Sequence, residues 1–523
     1  MQPSFRVEDY VSAIKWHFRP APCVWAAVCA GLVAGCVTVD PRSDFARTKQ
    51  MVAARTGVDV VYAPQSDAEV EDAVAALLAD GLSTDEAVNV ALLNNRGFQS
   101  LFQGIGVSRA EVVHSGLLTN PSIGISTRFP EGGGRSNLTL TFAQQVADLW
   151  LIPVRQKIAE AALEQTVLSI VHQAGTLALQ VRRECYRVIA LRQLAGIARD
   201  TADLANRSLK LAEDRFDAGE AGRVDVNLAR ASVLSAKSRT MELHLELALA
   251  QTALAHTLGL ARWRQPWTLD GVLPRDTFVK GDESLLIFAM EERLDARAAA
   301  MKFHAAQAEI ERQYLRLFPN VTLGVEWERS EKKSAPSRDV LADTARASVA
   351  NGRLTAPSIQ SRGQRAQEKR QVIDSLLGPT LDITFPLWDQ HQAKIAKAQY
   401  QAAAARKAYE LILDGVARDV HQAQAVAGGA SALVTFYEDE ALPHARQSIE
   451  AAQRAYQAGN SEILALLDAQ KNLVAQREAY ILARRDFAIA MAELRRATGG
   501  RLPTEKAGSA DSSEPPAQNP ETP

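Results

Sequence analysis

Phe216-Asp217-Ala218-Gly219 returns 240 positions later as Tyr456-Gln457-Ala458-Gly459. At the same offset Ala229 maps on Ala469, Leu254 on Leu494 and Gly259 on Gly499. A constant offset held over this distance marks an internal repeat. After Gly459 the apolar residues Leu466, Leu473, Tyr480, Phe487 and Leu494 recur every seventh position. The equivalent line in the first half is Val226, Val233, Thr240, Leu247 and Leu254. Seven-residue spacing predicts helices packed along coiled-coil seams.

Proline, which breaks helix interiors, is absent between Pro153 and Pro266, between Pro386 and Pro443, and between Pro443 and Pro503. The turn signal Ala218-Gly219-Glu220-Ala221-Gly222 divides the first interval into expected helices of roughly 65 and 38 residues. At 1.5 Å per residue the longer would reach about 100 Å. Upstream of each long helix lie paired period-two segments. They are Ile123, Ile125, Thr127, Phe129 with Leu138, Leu140, Phe142, and Val321, Leu323, Val325, Trp327 with Leu381, Ile383, Phe385. Such alternation gives a strand one apolar and one polar face, as in membrane barrels. Trp327 and Phe129 near one end, and Phe142, Phe385, Trp150 and Trp388 towards the other, suit interfacial girdles. Four strands cannot close a barrel, so a membrane-spanning one must be shared between chains.

The 523 residues carry 59 Lys or Arg against 61 Asp or Glu, a balance unlike that of a nucleic-acid binder. Arg6, Lys15 and Arg19 precede a short apolar run that ends in Leu32-Val33-Ala34-Gly35-Cys36. That order predicts an export signal over 1–35. It resembles a lipobox, which would make Cys36 the acylated N-terminus of the mature chain. Val37, rather than aspartate, favours delivery to the outer membrane.

The chain resembles the outer-membrane efflux protein family, of which TolC is the type member. The carriers are Ala91-Leu92-Leu93-Asn94-Asn95 after Ser83-Thr84-Asp85-Glu86, Leu118-Thr119-Asn120-Pro121, Phe318-Pro319-Asn320, Phe385-Pro386-Leu387-Trp388-Asp389, and Ala455-Tyr456-Gln457-Ala458-Gly459 with Leu466-Leu467-Asp468-Ala469-Gln470. The resemblance implies a mainly α-helical chain with a small transmembrane β part. It further implies a homotrimer with a twelve-stranded barrel and a long periplasmic helical barrel, working with a periplasmic adaptor and an inner-membrane pump. In the family the helix turns form the periplasmic gate. Here the corresponding candidates are Arg215, Asp217, Gly219, Arg223, Asp225, Tyr456, Gly459 and Asp468. Two latch positions of the type member hold Ser461 and Ala465 instead, so a tight ionic latch is not expected.

The expected layout is a signal at 1–35, a lipid-anchored segment at 36–80, a first repeat at 81–265, a linker at 266–290, a second repeat at 291–500 and a disordered tail at 501–523. Within the second repeat, 329–377 forms an extracellular insertion with ten Lys or Arg against five Asp or Glu. No Walker loop, HExxH or GxSxG occurs and the histidines are scattered. No enzyme, cofactor or metal site is therefore expected. The leading reading is the exit duct of a tripartite efflux pump, a passive conduit for drugs, metal ions or other small molecules. The alternatives are the channel of a type I protein secretion system or a periplasmic coiled-coil scaffold lipoprotein.

Overall fold

The structure is a computed structural model of the 523-residue chain. It describes residues 38–58, 62, 64, 69–129, 136–262, 266–275, 278, 281, 283–331, 336–354 and 373–500. The export signal, Cys36, the Gly132-Gly133-Gly134 turn and the tail 501–523 lie outside the described residues. The chain divides into two units, 1–40 and 41–523. Among the described residues, every helix and strand belongs to the second unit.

Four helices come first: α1 (Arg42–Thr56), α2 (Val70–Leu78), α3 (Thr84–Asn94) and α4 (Arg96–Ser115). The predicted polar cap of α3 is a capping box. Ser83 Oγ accepts from Glu86 N at 3.2 Å, and Glu86 Oε2 accepts from Ser83 N at 2.8 Å. Strands β1 (Ser122–Arg128) and β2 (Asn137–Gln145) lead into α5 (Asp148–Asp217, 70 residues) and α6 (Arg223–Thr257, 35 residues). After α7 (Glu283–Glu292) and α8 (Leu294–Leu315) come β3 (Asn320–Glu331), α9 (Pro336–Asn351) and β4 (Ile373–Thr384). The chain then runs through α10 (Gln392–Phe436), a π turn (Tyr437–Ala441), α11 (Leu442–Gln457) and α12 (Ile463–Ala497). Helix α12 has 35 residues and starts and ends 240 positions beyond α6.

Proline bounds these helices less strictly than expected. Pro153 lies inside α5, whose first turn begins at Asp148. Pro153 is the sixth residue of α5, past the four donors that lack a helical partner, so it costs the helix one bond, that to Leu149 O, and the 70-residue helix continues through it. Pro443 sits at the start of α11, straight after the π turn, so the helix passes the proline by widening for one turn. Among the described residues, the interval 329–377 contains regular elements. Strand β3 runs on to Glu331, β4 begins at Ile373, and α9 lies between them.

The two expected hairpins form one antiparallel sheet in the order β1-β2-β3-β4. Its register aligns Ile123–Phe142–Val325–Pro379 and Ile125–Leu140–Trp327–Leu377 on one face. The other carries Gly124–Thr141–Glu326–Gly378 and Ser126–Thr139–Glu328–Leu376. The apolar face is uncovered: Ile123, Ile125 and Leu377 are 70–74% exposed. Among the described residues, no helix is long and apolar enough to cross a membrane.

The main core gathers α1–α6, α8 and part of α12 around the fully buried Leu82, Leu92, Phe102, Leu254 and Leu269. Asn94 and Asn95 lock it to the end of α6. Asn95 Nδ2 donates to Thr257 O at 2.9 Å, Asn94 Nδ2 to Leu258 O at 3.3 Å, and Asn95 Oδ1 caps α4 at Phe98 N.

Candidate gate at the helix turns

The seam that brings the tips together differs from the expected one by three positions in the first half. Along α6 the buried line is Ala229, Ala236, Leu243, Ala250 and Thr257, with Val233 and Leu254 beside it, while Val226, Thr240 and Leu247 are half-buried. Alanine lets helices approach closely but is a weak apolar signal, so the larger residues drew the reading. In α12 the expected Leu466, Leu473, Phe487 and Leu494 are buried, and Tyr480 is half-buried. The buried polar Gln470 joins that seam and donates to Ser208 Oγ at 2.7 Å. Periodicity of apolar residues carries no signal for this contact.

The turns at Gly219 and Gly459 match in conformation. Their φ angles are +77° and +78°, in the left-handed region that glycine enters without Cβ strain. Beside them Ala212, Ala229, Tyr456, Ile463 and Leu466 form a small apolar cluster. Tyr456 is 2% exposed, and its hydroxyl has no hydrogen-bond partner. Burial pushes its pKa up, and the Arg215 charge pulls the other way. The Arg215 guanidinium lies over the Tyr456 ring, 4.7 Å from the centroid, and its Nη1 donates to Tyr456 O at 2.6 Å. Glu220, which sequence reasoning did not single out, stands 3.7 Å from Arg215 Nε.

The candidates therefore separate. Arg215, Tyr456 and Gly459 meet: a Cβ added at Gly459 would lie 3.7 Å from Arg215 Nη2. Asp225 accepts from Gly222 N at 3.3 Å in the first turn of α6, where a carboxylate also suits the helix dipole. Asp217, Arg223 and Asp468 are exposed and hold no ion pair or side-chain hydrogen bond among the described residues. Asp468 lines a groove of about 520 Å³ with Arg239, Gln470 and Lys471. Higher up, Arg239 of α6 reaches Glu478 of α12 at 3.3 Å. Among the described residues, no group of three His, Cys, Asp or Glu is placed to hold a metal ion.

The family model described as outer membrane efflux protein matches residues 88–260 and 286–500. The chain is 25% identical over 364 residues to the pyoverdine export outer membrane protein OpmQ of Pseudomonas aeruginosa, covering 68% of each chain. It is 22% identical over 406 residues to the cobalt-zinc-cadmium resistance protein CzcC of Cupriavidus metallidurans, covering 77% of this chain and 86% of that one. Its fold matches a crystal structure of CusC with a TM-score of 0.64 at 17% identity, covering 80% of this chain and 92% of that chain. The long helices, the paired turns and the four-stranded sheet thus stand within a family match that spans most of the sequence, and the chain belongs to the outer membrane efflux protein family.

Proposed function

We propose that this chain is the outer-membrane exit duct of a tripartite efflux pump, a passive conduit for small molecules. The observation that carries this reading is the sheet. One face is apolar and exposed, the other polar, and its outer strands β1 and β4 each pair on one side only. Unpaired strand edges are not viable in lipid, so the sheet closes only with copies of itself. Three chains give a twelve-stranded barrel with apolar residues towards lipid and polar ones lining the duct.

The helices favour the same assembly. Leu234, Met241, Leu245 and Leu249 on α6, and Leu411, Val426 and Leu433 on α10, are exposed in the single chain. Exposed apolar lines of this length call for partners. Neighbouring copies would cover them in a periplasmic helical barrel built from the two repeats of each chain. Its turns would meet a periplasmic adaptor and, through it, an inner-membrane pump. Arg215, Tyr456 and Asp225 are the gate residues of this reading, with Asp217, Arg223 and Asp468 free to meet a partner. Cys36 would carry the acyl anchor, and 329–377 would face outside.

Conductance in planar bilayers, with the oligomer sized by gel mobility before and after boiling, tests the proposal. A trimer resistant to mild heating and stepwise conductance are expected. A non-conducting monomer would overturn it.

A further inference from the structure

The polar face of the sheet ends in a cavity of about 370 Å³ between the first turns of α5 and the end of α8. Gln145 and Asn320 hold its upper wall, with Gln145 Nε2 donating to Asn320 Oδ1 at 2.6 Å. Gln145 pairs across the sheet with Thr322, and Asn320 with Thr384, so both belong to the polar rows. The cavity therefore opens on the side that the proposed assembly makes the conduit wall.

Its charge is one-sided. Arg155, Arg312 and Arg316 line it, beside the His391 ring, against a single carboxylate, Asp148. That carboxylate is committed: it accepts from Thr119 N at 2.7 Å and lies 3.2 Å from Arg155 Nη1. Arg312 is held by Glu309, outside the lining, at 2.8 Å. Arg316 is exposed and has no acceptor among the described residues. By contrast Arg55, Arg182 and Arg293, around a smaller cavity of about 50 Å³, each already hold a carboxylate.

His391 adds a second sign. At φ +56° it is the one non-glycine residue in the left-handed region among the described residues. Its backbone N donates to Asp389 Oδ1 at 3.0 Å, which fixes that turn. Backbone strain of this kind gathers at ligand clamps.

We propose that the cavity is a lumenal subsite for an oxyanion group, carboxylate or phosphate, on molecules passing along the conduit. The Arg316 fork matches either group in two-pronged geometry. The proposal rests on the conduit reading above.

Equilibrium dialysis of the solubilised full-length chain against citrate, and separately against inorganic phosphate, reads the site without conductance. Citrate block of single channels reads it in the duct. Retention and block are expected, with citrate and phosphate arms showing which oxyanion binds more tightly. Arg316→Gln should weaken retention about tenfold, and Arg316→Lys, which keeps the charge but not the fork, should fall between Arg316→Gln and the parent. Both variants should assemble normally, since Arg316 supports no other side chain. Equal retention by Arg316→Gln and the parent overturns the proposal. Conductance with neither retention nor block overturns the subsite and leaves the conduit standing. Retention without conductance overturns the conduit, and with it the lumenal placement.

Discussion

Arg215 and Tyr456 tie the two helix turns of one chain together across 241 residues, by a ring face 4.7 Å from the guanidinium and a 2.6 Å bond to the tyrosine carbonyl. Neither contact uses the phenol hydroxyl. Two kinds of substitution therefore separate the functions of this pair. Arg215→Ala removes a cation–π contact of about 0.5–2 kcal/mol and a charge-assisted hydrogen bond. If the pair holds the gate, the resting open fraction in planar bilayers should rise several-fold. Tyr456→Phe removes only a buried hydroxyl without a partner, whose desolvation costs about 1–3 kcal/mol. It should leave the resting conductance unchanged and the protein equally or more stable to heat. Asp217→Ala, at an exposed unpaired position, should change neither.

Three glycines separate backbone strain from crowding. At Gly219 an added Cβ meets nothing within 4 Å, so Gly219→Ala carries only the left-handed cost, about 1–2 kcal/mol. At Gly259, φ +76°, the same atom would lie 2.5 Å from Asn94 O, at the joint clasped by Asn94 and Asn95. Gly259→Ala should cost roughly 2–5 kcal/mol, strain and overpacking together. Gly196, inside α5 with nothing within 4 Å, should gain about 0.5–1 kcal/mol as alanine. Thermal melts of the solubilised variants should rank Gly196→Ala above the parent, then Gly219→Ala, then Gly259→Ala.

The order Gly196 > Gly219 > Gly259 follows from structure, whereas the turns at Gly219 and Gly459 and the two 35-residue helices 240 positions apart were legible in sequence. Offset, turn residues and strand alternation are local signals, and they located α5, α6, α12 and all four strands. The pairing of β2 with β3 was not legible, because Gln145 and Thr322 lie 177 positions apart. The seam of α6 was misplaced for a related reason, since Ala229, Ala236 and Ala250 pack by shape rather than by bulk. At the candidate gate the turns and Tyr456 could be read, but not the partner of Arg215. The carbonyl of Tyr456 is a backbone group, and backbone acceptors leave no trace in residue type. The oxyanion cavity was equally hidden, as its arginines come from two helices.

The capping box at Ser83 gives a local pH test. The bond from Ser83 N holds the Glu86 carboxyl below its ordinary value of 4.5. A carboxylate depressed by folding adds stability above its unfolded pKa, and that stability fades as pH falls through the folded value. Helix α3 should therefore lose protection between about pH 5 and the depressed folded pKa, seen by hydrogen exchange at Ala87 and Val88. Glu86→Gln, which removes the titrating group, should remove the pH dependence, whereas Ser83→Ala keeps the backbone donor and should cost about 1 kcal/mol at neutral pH. A pH profile unchanged by Glu86→Gln would refute the assignment.

Thiol labelling tests the core and the proposed anchor together. Cys185 is fully buried in α5, and burial pushes its thiol up to about 12. At pH 8 the thiolate would be roughly one part in ten thousand, and the sulfur has no solvent path, so maleimide should not label the native protein. Unfolding restores an ordinary thiol near pKa 8.5 and exposes it. The sequence holds four cysteines, Cys23, Cys29, Cys36 and Cys185. Signal cleavage would remove the first two, and acylation would block Cys36. The mature chain should then take up no label when folded and one label when denatured. Two labels on the denatured chain would show an unmodified Cys36 and overturn the lipid anchor. One label on the native chain, with still only one on the denatured chain, would instead show that α5 opens at Cys185, against the zero exposure of that side chain.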